Sequence, residues 1–151
     1  MKGFTLIELL VVIALVGMLT LGSYISFGSY TKSQGLQTSL ADVTQLLNVA
    51  KSKSLEQVKP AQCGVQVLQG YQVSFTVPGS TYRLEAICGT TTSLIDSKTL
   101  ASPLSFANTS ANKIFFAVST ASVPTPGNII ITGGTQNKTV RVDGTGKISV
   151  Q

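Results

Sequence analysis

The chain has 151 residues, a formal net charge of +5, two cysteines and no histidine. Its length suits one compact domain with or without an appendage, and 43% hydrophobic residues argue against disorder. Only 11% of the residues are charged, and the mean hydropathy of +0.33 is high for a free cytosolic domain. Without histidine the chain lacks the commonest general base and the commonest metal ligand. The composition therefore argues against an enzyme, and no metal ion or cofactor is expected.

The N-terminal region carries the strongest signal. Residues 9–31 form an uncharged and mostly apolar run, with Lys2 before it and Lys32 after it. A helix over this run would be about 34 Å long, enough to cross a hydrocarbon core of about 30 Å. A secretory signal peptide has a shorter apolar region followed by an A-x-A-like cleavage site, and neither feature is found here. The run predicts a membrane helix that the mature protein retains.

Glu8 stands near the start of this apolar region, between Ile7 and Leu9. A charge in the middle of a spanning helix costs about 3 kcal/mol on insertion scales, so such residues are usually paired and functional. A carboxylate at the level of the lipid headgroups would instead be solvated. The position of Glu8 alone leaves both interpretations open.

The sequence around Glu8 reads Lys2-Gly3-Phe4-Thr5-Leu6-Ile7-Glu8-Leu9-Leu10-Val11-Val12-Ile13-Ala14. This stretch resembles the leader of type IV pilins and of type II secretion pseudopilins. The resemblance implies that a prepilin peptidase cleaves between Gly3 and Phe4, and that the new amine of Phe4 is N-methylated. It also implies that Glu8 pairs with the Phe4 ammonium of a neighbouring subunit. Such a pair would offset the desolvation of both charges and set the stagger between subunits.

The helical pattern continues beyond Lys32. Apolar residues recur at spacings of four and three, which predicts one buried face of a helix: Leu36, Leu40, Val43, Leu47 and Ala50. The helix is predicted from about Phe4 to about Glu56, with Pro60 beyond its end. Such a stripe is far more typical of packing against a domain than of a ligand site.

Short β-like runs separated by glycine and proline turns follow Pro60. The predicted strands are Val65–Leu68, Tyr71–Val77, Thr81–Cys88, Lys113–Val118, Asn128–Thr132, Lys138–Asp143 and Lys147–Val150. The last two are predicted to form a hairpin around Asp143-Gly144-Thr145-Gly146. Between Gly89 and Asn112 the pattern is weak, and a long loop with one strand at most is expected.

These elements predict an α+β fold, with a long N-terminal helix packed on a β-rich C-terminal head. The predicted layout is a leader at 1–3, a transmembrane and assembly helix at 4–31, an amphipathic helix at 32–56 and an extracytoplasmic head at 60–151. This architecture is similar to that of minor pilins and pseudopilins of the GspH/FimT type. The resemblance implies an inner-membrane protein that contacts lipid, other pilin or pseudopilin subunits and a prepilin peptidase.

Cys63 and Cys88 are the two cysteines, with 24 residues between them. An extracytoplasmic head permits a disulfide between them, and the predicted membrane helix favours this disulfide over two reduced, buried thiols. The absence of a C-x-x-C pair argues against a redox or metal site.

Three functions compete at this stage. The favoured one is a structural subunit of a type IV pilus-like or type II secretion filament. The alternative is a DNA- or surface-binding pilin module, for which Lys138, Arg141 and Lys147 would form a basic patch that Asp143 interrupts. An enzyme is the least favoured, because no nucleophile–base pair or phosphate-binding loop is present.

Overall fold

The structure of the protein is a computed structural model that describes residues 5–134 and 136–151, with residues 19–32 described as helical backbone alone. These residues form an α+β fold with one long α-helix, a short 3₁₀ turn and two antiparallel sheets of four strands each. The predicted α+β class is confirmed. The chain divides into two compact units, residues 1–35 and 36–151.

The long helix, α1, runs over Leu6–Leu55, close to the predicted bounds. In the second unit its apolar stripe is buried, as the periodic spacing predicted: Leu36, Leu40, Val43, Leu47 and Ala50 are all in the core, together with Leu46. The opposite flank of the same turns is exposed to solvent. A one-sided stripe of this kind holds a helix against a sheet through the burial of apolar surface.

Eight strands follow the 3₁₀ turn Ala61–Cys63. They are β1 (Leu68–Phe75), β2 (Thr81–Cys88), β3 (Thr91–Thr99), β4 (Ser105–Phe106), β5 (Lys113–Ala117), β6 (Gly127–Gly133), β7 (Gln136–Val142) and β8 (Ile148–Val150). The first sheet has the order β3-β2-β1-β5 and the second has the order β4-β6-β7-β8. All pairs are antiparallel.

Both sheets and the second part of α1 share one hydrophobic core. Alternate residues of the strands point into it, as the two-residue period of a strand requires. Phe106 of β4 lies at the junction of the two sheets, where its ring meets Phe75 at 5.2 Å and Tyr82 at 6.0 Å, both edge to face. Its main-chain N–H also donates to the carbonyl of Gly79, at 2.7 Å. This short strand therefore fastens the second sheet to the first.

Two of the sequence predictions for the head are wrong. Val65–Leu68 is not a separate strand: Val65 is 97% exposed, and only Leu68 enters β1. The stretch between Gly89 and Asn112 is not mainly loop, because it contains the nine residues of β3 and the two of β4. The other predicted strands and the closing hairpin of β7 and β8 are confirmed within two or three residues at their ends.

The structure shows why β3 has a weak sequence pattern. It is an edge strand that pairs with β2 alone, and a bulge between Leu84 and Glu85 shifts the register partway along the pair. Most of its side chains are exposed or half-buried, so the alternation of apolar and polar residues is lost. A two-residue turn at Gly89-Thr90 joins it to β2, and the positive φ of 57° at Gly89 suits a residue without a Cβ.

Candidate functional site

The candidate assembly segment begins at the N-terminus of α1. Gly3 and Phe4, the predicted cleavage and methylation residues, lie outside the described residues. The carbonyl of Thr5 accepts the N–H of Glu8 at 3.1 Å and the N–H of Leu9 at 3.3 Å, which closes the first turn. Glu8 is exposed in this turn, where an acidic side chain suits the positive end of the helix dipole.

The described side chains of the first unit are apolar on every side of the helix. Ten large apolar residues between positions 6 and 18 are 50–84% exposed: Leu6, Ile7, Leu9, Leu10, Val11, Val12, Ile13, Leu15, Val16 and Met18. A helix that is apolar all round is normally buried, in lipid or against other protein. This surface is therefore expected to be covered by lipid or by other protein. Glu8 is its one ionisable group between positions 5 and 18.

A search of the residues with described side chains finds no helical stretch long and apolar enough to span a membrane.

The predicted partner of Glu8 is the amine of Phe4 in a neighbouring subunit. Because Phe4 is outside the described residues, the structure gives no geometry for the pair, and the pairing stays a prediction. What the structure supplies is the position of the carboxylate, which is in the first turn and open to solvent. In apolar surroundings such a carboxylate requires a cation, since an unpaired buried charge is costly.

In the head, Cys63 and Cys88 form a disulfide, with 5.7 Å between their Cα atoms. Cys63 ends the 3₁₀ turn and Cys88 ends β2, and both are buried. The bond ties the segment between α1 and β1 to the first sheet. This agrees with the pairing that an extracytoplasmic head permits.

Two further contacts hold the C-terminal end of α1 and the segment that follows it to the first sheet. The Ser54 hydroxyl is fully buried and lies 2.9 Å from the carbonyl of Ala50 and 3.0 Å from the carbonyl of Phe116 on β5. The Tyr71 hydroxyl donates to the carbonyl of Val58 at 2.6 Å, and burial raises the pKa of this phenol. The sequence stripe did not indicate either residue, because both act through a hydroxyl group inside an otherwise apolar core.

The predicted basic patch is not gathered in one place. Lys138 lies on the same face of β7 as the buried Val140, whereas Arg141 lies on the opposite face of the strand. Lys147 faces Asp143 across the closing hairpin. A single Arg–Lys pair with an intervening carboxylate lacks the several phosphate contacts that nucleic-acid binding requires.

Asp143 has a structural role in that hairpin. Its Oδ1 accepts the Thr145 hydroxyl at 2.7 Å and the N–H groups of Thr145 and Lys147, both at 2.9 Å. The hydrogen bond from the Thr145 hydroxyl is the main reason that the pKa of Asp143 is lowered. The carboxylate therefore fixes the turn, which leaves it less available to interrupt or complete a binding patch.

A groove that the sequence analysis did not predict lies between the exposed flank of α1 and β8. Its volume is about 670 Å³, and it is lined by eight helix residues between Gln37 and Ser52 and by Val150. The buried Oγ1 of Thr44, one of the lining residues, has no hydrogen-bond partner in the described structure. The sequence feature that could have indicated this groove is the run of uncharged polar residues on the helix flank, since exposed helix faces usually carry charges.

No group of three metal-ligating side chains is found among residues 5–134 and 136–151. The absence of metal and cofactor therefore remains an expectation from composition.

The comparisons with known proteins support the N-terminal assignment. Residues 1–24 match the family model described as the prokaryotic N-terminal methylation motif. No curated protein matches the chain, and neither does any solved structure. The chain therefore carries a type IV pilin-like leader.

Proposed function

We propose that the chain is a structural subunit, a minor pilin or pseudopilin, of a type IV pilus-like or type II secretion filament. The observation that carries this proposal is the methylation motif of residues 1–24, continued by a helix that is apolar on all sides over residues 6–18. A leader of this kind with an apolar helix suits a protein that first lies in a membrane and then packs helix against helix in a filament. Other pilin or pseudopilin subunits and a prepilin peptidase are the proposed partners.

The proposed layout follows from these roles. Residues 1–3 are the leader, 4–31 the membrane and assembly helix, 32–56 the amphipathic helix and 60–151 the head. The helix lies in the inner membrane in contact with lipid, and the head lies outside the cytoplasm, where the Cys63–Cys88 disulfide is stable. A GspH/FimT-type minor subunit is the form that this helix and β-rich head suit best, and its role is structural, not enzymatic.

Glu8 has a defined role in this proposal. Its carboxylate pairs with the methylated Phe4 ammonium of the next subunit once both are surrounded by apolar side chains. The residues around it supply such surroundings, since Leu6 and Ile7 are 84% and 72% exposed and need cover. Removing the carboxylate would leave the neighbouring ammonium unpaired, at a cost of about 3–5 kcal/mol.

Two measurements test the proposal in the native host. Intact-mass analysis is expected to show a chain that begins at Phe4 and carries one additional methyl group. Glu8→Gln is expected to leave the amount of subunit in the inner membrane unchanged while reducing its amount in sheared filaments at least tenfold. Glu56→Gln is the matched control, because Glu56 is an exposed carboxylate just past the other end of α1.

The outcomes separate clearly. A mature chain that retains Lys2 in a host with an active prepilin peptidase would contradict the leader assignment. Normal incorporation of Glu8→Gln into filaments would show that Glu8 is a solvated residue with no pairing role. The basic patch that the DNA-binding alternative would use is divided, since Lys138 and Arg141 point to opposite faces of β7.

A further inference from the structure

The open edge of β8 lies beside an uncharged helix flank. In the β7–β8 hairpin, Thr139 pairs with Gln151 through two main-chain hydrogen bonds, and Asp143 N–H donates to the carbonyl of Lys147. Antiparallel pairs alternate between bonded and non-bonded positions, so Ile148 and Val150 direct their N–H and C=O groups away from β7. Strand β8 ends its sheet, and no described strand lies beyond it.

The groove beside this edge is lined by Val150 on the β8 side and by a wall formed by α1 on the other. The wall extends from Gln37 to Ser52, about 22 Å of helix, which is the length of six or seven residues of extended chain. None of the described side chains that line the groove is charged. Its lining combines apolar side chains with amides and hydroxyls: Gln37, Leu40, Ala41, Thr44, Gln45, Asn48, Val49, Ser52 and Val150.

The long edge strand of the first sheet, β3, is protected by charges and a bulge, whereas the three-residue β8 is protected only by its shortness. Strand β3 carries Asp96 and Lys98, and a bulge interrupts its pairing with β2. Charges and bulges of this kind discourage the addition of a further strand to an open edge. Strand β8 has neither feature, and its residues Ile148, Ser149 and Val150 are uncharged.

We propose that this groove binds an extended, uncharged peptide segment of another protein, which adds as a strand to β8. The segment would bond to the main-chain groups of Ile148 and Val150, while the amides of Gln45 and Asn48 would contact its far side. Main-chain pairing supplies affinity in this mode of recognition, and the groove walls select the side chains. A charged segment is disfavoured, because the walls offer no counter-charge. The inference is independent of the filament assignment.

Selection from a phage-displayed library of random seven-residue peptides tests the proposal on the full chain in detergent micelles. Enriched peptides are expected to be uncharged and rich in β-branched residues. Adding a synthetic copy of one is expected to slow hydrogen exchange of the Ile148 and Val150 amides at least tenfold. Exchange of these amides reports strand pairing directly, because neither amide is bonded to β7.

Two variants and one control make the test specific. Val150→Pro removes an N–H that points away from β7, and Gln45→Lys places a charge in the groove at an exposed position outside the core, so each is expected to weaken peptide binding at least tenfold. Val150→Thr retains the N–H and is expected to bind as the natural chain does. Absence of any enriched peptide, or equal binding by Gln45→Lys, would overturn the proposal. Binding of phosphatidylcholine vesicles through the same groove, with no peptide selected, would also overturn it.

Discussion

The buried hydroxyl of Ser54 provides the sharpest test of how α1 is held to the head. Ser54→Ala removes a hydroxyl that lies within hydrogen-bond distance of the carbonyls of Ala50 and Phe116, at 2.9 Å and 3.0 Å. A net hydrogen bond contributes about 1 kcal/mol, and a buried acceptor left unsatisfied raises the loss to about 3 kcal/mol. Alanine also favours the helix over serine by roughly 0.5 kcal/mol, which acts in the opposite direction.

Ser52→Ala is the matched control for this change. Ser52 lies two residues earlier on the same helix, and its hydroxyl donates at 2.7 Å to Glu56 in an exposed position. Ser52→Ala gains the same helix propensity as Ser54→Ala but loses only a solvent-exposed hydrogen bond. The difference between the two variants therefore isolates the buried hydroxyl, at about 1–3 kcal/mol.

Thermal unfolding of the full chain in detergent micelles, followed by near-ultraviolet circular dichroism of the tyrosines, measures this difference. At roughly 4 °C per kcal/mol for a unit of this size, Ser54→Ala is expected to melt about 4–12 °C below Ser52→Ala. Equal melting temperatures would refute the reasoning, because they would mean that the link from α1 to β5 contributes nothing to stability.

Three further predictions concern the core, the disulfide and the alkaline limit of the head. Thr44→Val is expected to raise the free energy of unfolding by about 1 kcal/mol in urea titrations, since it replaces an unpartnered buried hydroxyl with a methyl group; a loss of stability would show that the hydroxyl has a partner. Replacing Cys63 and Cys88 together by alanine is expected to lower that free energy by about 3 kcal/mol, whereas a change under 1 kcal/mol would contradict a stabilising disulfide. Burial, with smaller contributions from Asp42 and Asp96, raises the pKa of Tyr82 to about 12. The contribution of this phenol to the free energy of unfolding is therefore complete below pH 10 and is lost as the pH rises from 10 to 12. In urea titrations at pH 9 and 11, the free energy of unfolding of Tyr82→Phe is expected to fall less between the two pH values than that of the natural chain.

The sequence predicts well where the physical cause is local. The stripe from Leu36 to Ala50 depends on a helical period that can be counted along the chain, and all five predicted residues are buried. The hairpin of β7 and β8 is equally local, because Asp143 and its glycine neighbours form the turn themselves. The leader is a contiguous stretch, which is why a family model matches it.

The missed features depend on distant parts of the chain. Strand β3 is held by pairing with β2 and has no amphipathic pattern of its own, so its sequence of serines and threonines is also compatible with a loop. The groove unites Gln37 and Val150, which are more than a hundred residues apart. Ser54 meets Phe116 across 62 positions. Contacts of this kind are set by the sheet order, which local periodicity does not determine.

The two parts of α1 differ in how many of their sides must be covered, and this difference bears on both proposals. Over residues 6–18 every side is apolar and exposed, so cover is needed all round. From Leu36 onward one side is buried in the core, and the opposite flank carries amides and small side chains, such as Gln45 and Asn48. A flank meant only for water gains from charges, which improve solubility and form i, i+4 pairs. An uncharged flank beside an open strand edge is better suited to contact with protein, because desolvating an amide costs much less than desolvating an ion. The two exposed surfaces of α1 thus suit different partners: the apolar N-terminal surface needs helices or lipid, and the uncharged flank beside β8 suits an extended strand.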